Sequence, residues 1–196
     1  MNIIENIMEH IIGININNNN NNNNNIDFTL ESIIHLIGFS APGIMLVTSA
    51  IILRNRVITL KYFIIGYILN GIFNGILKIA LKEPRPSNDW QILQIGITHN
   101  KRIGFDKYGM PSGHAQYCGY ILAFMTLAVN DPFVTGVYSI LSLICLYQRY
   151  LYQNHTIIQV VIGFIVGIGF GYLIYQVSST KLIGNIKLRP DDNAPF

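Results

Sequence analysis

The sequence predicts an all-α polytopic membrane protein, a bundle of about five transmembrane helices. Three observations carry this. Of the 196 residues, 51% are hydrophobic and only 12% charged, against about a quarter charged in soluble domains. The apolar residues gather in blocks near the roughly 20 needed to cross a hydrocarbon core of about 30 Å. The polar residues capable of chemistry sit at the ends of those blocks, all on one side.

The first segment, residues 1–32, is set apart from the blocks. Ile3, Ile4, Ile7, Ile11 and Ile12 fall near helical spacing among Glu5, Glu9 and His10, the pattern of an amphipathic surface helix. Asn17 to Asn25 is an unbroken asparagine run that cannot build a core, and reads as a spacer. Residues 33–177 form the membrane domain, and residues 178–196 a polar tail with Pro190, Asp191 and Asp192.

Five spans are expected within that domain. The first runs from Ile33 to Leu53 and is closed by Arg54 and Arg56. The second, Val57 to Leu81, carries Asn70, Asn74 and Lys78 four residues apart, a stripe that must face the bundle interior. The third covers Gly113 to Val129 and the fourth Phe133 to Tyr147, with Asn130-Asp131-Pro132 as the turn between them. The fifth covers Thr156 to Val177, with Gly163, Gly167 and Gly171 as a small-residue stripe suited to close helix packing or to a dimer. Cys118 and Cys145 fall inside apolar blocks and read as packing residues.

This topology brings distant residues to one membrane face. Lys78 and Arg85 lie where the second span ends, and Pro111 to His114 where the third begins. Arg149 lies where the fourth ends, and His155 where the fifth begins. An odd number of spans between these blocks would have scattered them. The arrangement suits a phosphoryl group: three cations can hold its oxygens, one imidazole can attack phosphorus and the other can protonate the leaving oxygen. Arg54, Arg56 and Lys61 flank the opposite face while no Lys or Arg precedes Arg54, which directs the active site to the non-cytoplasmic side, such as the lumen of the endoplasmic reticulum. The net charge of +3 is small and dispersed, which argues against nucleic acid as a partner.

Three ordered blocks carry a resemblance. Lys78, six residues and Arg85-Pro86; then Pro111-Ser112-Gly113-His114; then Arg149, five residues and His155 resemble the signature of the type 2 phosphatidic acid phosphatase superfamily, the lipid phosphate phosphatases. Within it, Glu83-Pro84-Arg85-Pro86, Lys107 to Ser112, and His155-Thr156 with Gln159-Val160 are most similar to the dolichyl diphosphatases. The resemblance implies a hydrolase without metal or cofactor, with His155 as the nucleophile and His114 as the general acid. It implies that Lys78, Arg85, Ser112, Gly113 and Arg149 bind the phosphoryl oxygens. Ser112 and Gly113 open a helix, whose free N–H groups favour an anion.

Two positions depart from the pattern: Gln148 stands for the usual Ser, and Gln159 for the Asp that orients the nucleophile. One helical turn separates His155 from Gln159, so the amide can still accept a hydrogen bond from the imidazole, without supplying charge. The implied activity is hydrolysis of a lipid-linked diphosphate, with dolichyl or polyprenyl diphosphate preferred. A broad phosphatidate or diacylglycerol diphosphate phosphatase is the alternative enzyme, and a catalytically silent lipid-binding scaffold the alternative of another class. Retention of both histidines and three cations argues against the scaffold. The expected partners are the lipid substrate and the membrane, and the oligomeric state is left open. The long connection from Ser87 to Met110 is a candidate gate for lipid access.

Overall fold

Helix boundaries follow local chemistry through most of the chain. The computed structural model describes residues 30–86 and 107–185, which form five helices: α1 (Leu30–Ile52), α2 (Val57–Leu81), α3 (Gly113–Val129), α4 (Pro132–Leu151) and α5 (Ile157–Asn185). They correspond to the five expected spans. The surface helix, the asparagine run, most of the 87–110 connection and the end of the tail lie outside the described residues.

The α3–α4 corner shows how sequence sets a boundary. Asn130 ends α3 in the left-handed conformation with φ 55°, its N–H donating to the Thr126 carbonyl. Asp131 then caps α4, its carboxylate accepting from Phe133 N at 2.7 Å and Val134 N at 3.1 Å. Pro132 occupies the first helical position, where its missing N–H costs nothing. Lys82 ends α2 in the same left-handed way, with φ 50°.

Helix α3 is the centre of the bundle and touches all four others; α1 packs on α3 and α4, and α2 on α3 and α5. The tightest seam joins α3 to α5. A Cβ on Gly163 would stand 2.6 Å from the Ser112 carbonyl oxygen and one on Gly171 2.5 Å from that of Tyr120, while Gly167 faces the Gln116 carbonyl and Gly119 that of Phe164. The small-residue stripe of α5 is therefore committed to α3. Gln148 is likewise committed to α1, its side chain lying against Gly38. The expected polar stripe faces inward: Asn70, Asn74 and Lys78 are all buried.

Outward faces are apolar. Val47, Ile51, Ile76, Leu143, Ile158, Ile165 and Leu173 are exposed large hydrophobics, as lipid contact requires. Among the described residues, α1 over Ile33–Ile52, α2, and α5 over Ile157–Thr180 are each long and apolar enough to cross a membrane. Helix α3 has only 17 residues, about 26 Å of rise, and is enclosed by its neighbours. Helix α4 ends in buried Gln148 and Arg149, polar residues that dilute its apolar character.

Candidate active site

Four chain segments meet at one end of the bundle: the exits of α2 and α4 and the starts of α3 and α5. A cavity of about 1360 Å³ opens there. Its polar end is walled by Lys78, Arg85, Gly113, His114, Arg149 and His155, with Asn74 beside them. Six of the eight residues singled out from the sequence thus share one wall. Ser112 and Gln159 are fully buried and lie behind that wall.

His155 is held from several sides. Its Nδ1 lies 2.7 Å from the Gly109 carbonyl oxygen and 3.3 Å from Gln159 Oε1. Both are acceptors, so Nδ1 carries the proton and Nε2 keeps its lone pair. Nε2 is 3.3 Å from Arg85 Nη1, which also donates to the Asn154 carbonyl at 3.2 Å. The backbone N–H of His155 donates to the Arg149 carbonyl at 3.2 Å, closing the short link between α4 and α5.

Electrostatics keep this imidazole neutral. Burial lowers its pKa from the ordinary 6.5 to about 2, with Arg85, Arg149 and Lys78 adding to the effect and the Gly109 hydrogen bond opposing it. Withdrawal from water and three nearby cations each disfavour the imidazolium. The result is an unprotonated imidazole with a free lone pair at neutral pH inside a cationic cradle.

Gln159 joins three loops. Its Oε1 accepts from the Thr156 backbone N–H at 3.2 Å, and its Nε2 donates to Glu83 Oε1 at 3.0 Å and to the Pro84 carbonyl at 2.9 Å. Its own carbonyl accepts from Ser112 N at 3.1 Å, and Thr156 Oγ1 accepts from Gln159 N at 3.2 Å. The bond expected from Gln159 to the imidazole is present, but the Gly109 carbonyl is the nearer acceptor. A main-chain oxygen leaves no trace in a side-chain motif, so the sequence offers no signal for it.

The start of α3 is set by an inner polar network. Asn74 Nδ2 donates to the Pro111 carbonyl at 3.3 Å and to Gln116 Oε1 at 2.8 Å, and Gln116 Nε2 donates to Asn70 Oδ1 at 2.8 Å. These bonds between α2 and α3 place Gly113 and His114 against the cavity. His114 also meets Phe39 of α1, with ring centroids 5.4 Å apart, and Arg149 lies over the same Phe39 ring at 5.9 Å.

Beyond the polar end the cavity becomes an apolar groove between α1 and α2. Phe39, Pro42, Ile44, Val47 and Thr48 line one side, and Tyr67, Ile68, Gly71 and Ile72 the other, with Tyr117 of α3 among the lining residues. From Phe39 to Thr48 the groove follows α1 for roughly 14 Å. Val47, Ile68 and Ile72 are more than half exposed, so the groove opens sideways to where lipid would lie.

Comparison with known proteins agrees with this architecture. The profile described as "PAP2 superfamily" matches residues 59–183, which include every residue of the polar end. The dolichyldiphosphatase of Saccharomyces cerevisiae is 29% identical over 122 residues, covering 57% of this chain and 48% of that protein. Dolichyldiphosphatase 1 of Dictyostelium discoideum is 30% identical over 142 residues, covering 67% and 57%. A palmitoyl-protein thioesterase-dolichyl pyrophosphate phosphatase fusion of Schizosaccharomyces pombe is 28% identical over 134 residues, covering 62% of this chain and 20% of the fusion. The matched region thus spans about half the length of the two dolichyldiphosphatases and a fifth of the fusion. No solved structure matches significantly. With its histidines and cations gathered at one end of a membrane helix bundle, and the profile running over all of them, the chain belongs to the PAP2 superfamily.

Proposed function

We propose that this protein hydrolyses a lipid-linked diphosphate, with a dolichyl or polyprenyl diphosphate preferred, through a phosphohistidine on His155. One observation carries the reading: a single cavity runs from a cradle of three cations and two histidines into an open apolar groove. A soluble phosphoester needs only the first part; a lipid headgroup with its chain needs both. The names of the two dolichyldiphosphatase relatives support the diphosphate preference.

Lys78, Arg85 and Arg149 hold the oxygens of the terminal phosphoryl group, and the amide at Gly113 adds the positive end of α3. The lone pair of His155 Nε2 attacks the terminal phosphorus. The phosphorus–oxygen bond to the leaving group breaks, and His114 gives that oxygen its proton, releasing lipid monophosphate. Water then attacks the phosphohistidine in line and gives its proton to His114. The nitrogen–phosphorus bond breaks, inorganic phosphate leaves, and both histidines return to their starting states. No step requires a metal. By the charge bias of the loops, the site faces the non-cytoplasmic side.

Rapid quenching of the purified enzyme with radiolabelled lipid diphosphate tests the intermediate. An acid-labile, base-stable phosphoprotein is expected in the wild type and absent from His155→Ala. Turnover by the wild type with no trapped phosphoprotein, or trapping that persists in His155→Ala, would overturn the mechanism.

A further inference from the structure

We propose that Glu83, outside the cavity, is a positioning residue that holds His155 in its attacking tautomer through the Gln159 amide. The inference rests on His155 being the nucleophile.

A neutral imidazole can carry its proton on either nitrogen, and attack from Nε2 requires the proton on Nδ1. Nδ1 faces two acceptors, and both are tethered to residue 83. The Glu83 carbonyl accepts from Gly109 N at 2.7 Å, which fixes the peptide unit just before the Gly109 carbonyl that meets Nδ1. The Glu83 carboxylate accepts from Gln159 Nε2 at 3.0 Å, which fixes the amide whose oxygen also meets Nδ1.

The second tether decides an ambiguity that Gln159 alone could not settle. An amide can present oxygen or NH₂ to a neighbour. Flipped, Gln159 would point NH₂ at Thr156 N–H and at the imidazole Nδ1–H, opposing donors to donors and leaving the Gly109 carbonyl alone to hold the Nδ1 proton. In the observed orientation both NH₂ hydrogens meet acceptors, Glu83 Oε1 and the Pro84 carbonyl. Glu83 is the charged one of the two, and charge-assisted hydrogen bonds are about twice as strong as neutral ones.

The carboxylate also contributes electrostatically. As Nε2 bonds to phosphorus the ring becomes cationic, within a cradle that already holds Lys78, Arg85 and Arg149. A carboxylate one amide away polarises Gln159 and makes Oε1 a stronger acceptor, which favours the developing charge. Glu83 does not line the cavity, so this help comes without repelling the substrate anion at close range.

Four variants test the pair, each read by kcat and KM and by the ¹⁵N shifts of labelled His155 in detergent. Glu83→Ala should cut kcat about tenfold, as loss of an outer orienting partner commonly does, with KM changed less than about twofold. It should also shift the Nδ1 resonance, because Nδ1–H loses the oriented Gln159 oxygen and keeps only the Gly109 carbonyl. Glu83→Gln, which can still accept from Gln159, should keep the tautomer and lose only about threefold in kcat. Gln159→Glu should be impaired, because two carboxylates then meet. The double variant E83Q/Q159E reverses the pair and should recover most of the loss of Gln159→Glu. Wild-type kcat and an unchanged Nδ1 shift in Glu83→Ala would overturn the proposal, as would a double variant no better than Gln159→Glu. If Glu83→Ala does not fold, the other three decide. His155→Ala separates this inference from its parent: activity retained there sinks the nucleophile, whereas activity lost there and kept in the Glu83 variants sinks only the role of Glu83.

Discussion

The carbonyl oxygen of Gly109 stands 2.7 Å from His155 Nδ1, nearer than the Gln159 side chain at 3.3 Å. This backbone contact depends on Gly109 lacking a side chain, since a Cβ there would lie 2.5 Å from Gln159 Oε1. Gly109→Ala should push Gln159 away from both His155 and Thr156 and lower kcat about tenfold, with KM moved far less. Steady-state kinetics on a lipid diphosphate check this.

His155 also links acidity to stability. With its folded pKa lowered from 6.5 to about 2, the unfolded chain binds a proton between those values that the folded chain does not. Stability from this group is therefore full above pH 6.5 and falls as the pH drops through that window. Thermal unfolding in detergent at pH 7.5 and pH 5 should show a larger loss of Tm for the wild type than for His155→Gln.

The groove between α1 and α2 should discriminate by chain and not by headgroup. Val47→Trp and Ile68→Trp place bulk in its walls at exposed positions, where folding tolerates it. We expect roughly tenfold lower kcat/KM for a long-chain lipid diphosphate and little change for a short water-soluble diphosphate, since only the chain's binding energy is removed. Equal losses on both substrates would remove the groove from the account.

Two glycines half a turn apart on α5, Gly167 and Gly169, should behave oppositely. Gly167→Ala drives a methyl group into the Gln116 backbone, which cannot yield as a side chain can. It should cost about 1–3 kcal/mol. Nothing lies within 4 Å of a Cβ at Gly169, so Gly169→Ala should be neutral or stabilise by up to about 1 kcal/mol through helix propensity. Tm measurements on both variants decide.

The helices were legible in the sequence because lipid demands long apolar runs, and the α3–α4 corner because Asn130, Asp131 and Pro132 each act locally. The gathering of Lys78, Arg85, His114, Arg149 and His155 could be read from parity of spans alone. What stayed hidden depended on contacts between segments with no spacing rule. Glu83 reaches Gln159 across 76 residues; the sequence marks it only as part of the Glu83-Pro84-Arg85-Pro86 segment and gives it no role. Gln159 alone reads as a position where negative charge has been given up; beside Glu83 it is an amide with a carboxylate behind it. Phe39, Ile44 and Val47 look like any lipid-facing residues of a span, because an apolar side chain has the same composition whether it meets bilayer or a bound chain. Gln148, which stands for the usual Ser, has a packing role that no spacing rule announces: its side chain lies against Gly38 on α1 and does not line the cavity.

The most direct measurement is phosphate release by purified wild type and His155→Ala from dolichyl diphosphate, phosphatidate and a soluble phosphomonoester, at matched concentrations in one detergent. The account predicts release from dolichyl diphosphate with the highest kcat/KM of the three, and none above background in His155→Ala. A wild type that prefers phosphatidate would contradict the diphosphate reading, and equal release by His155→Ala would contradict the site itself.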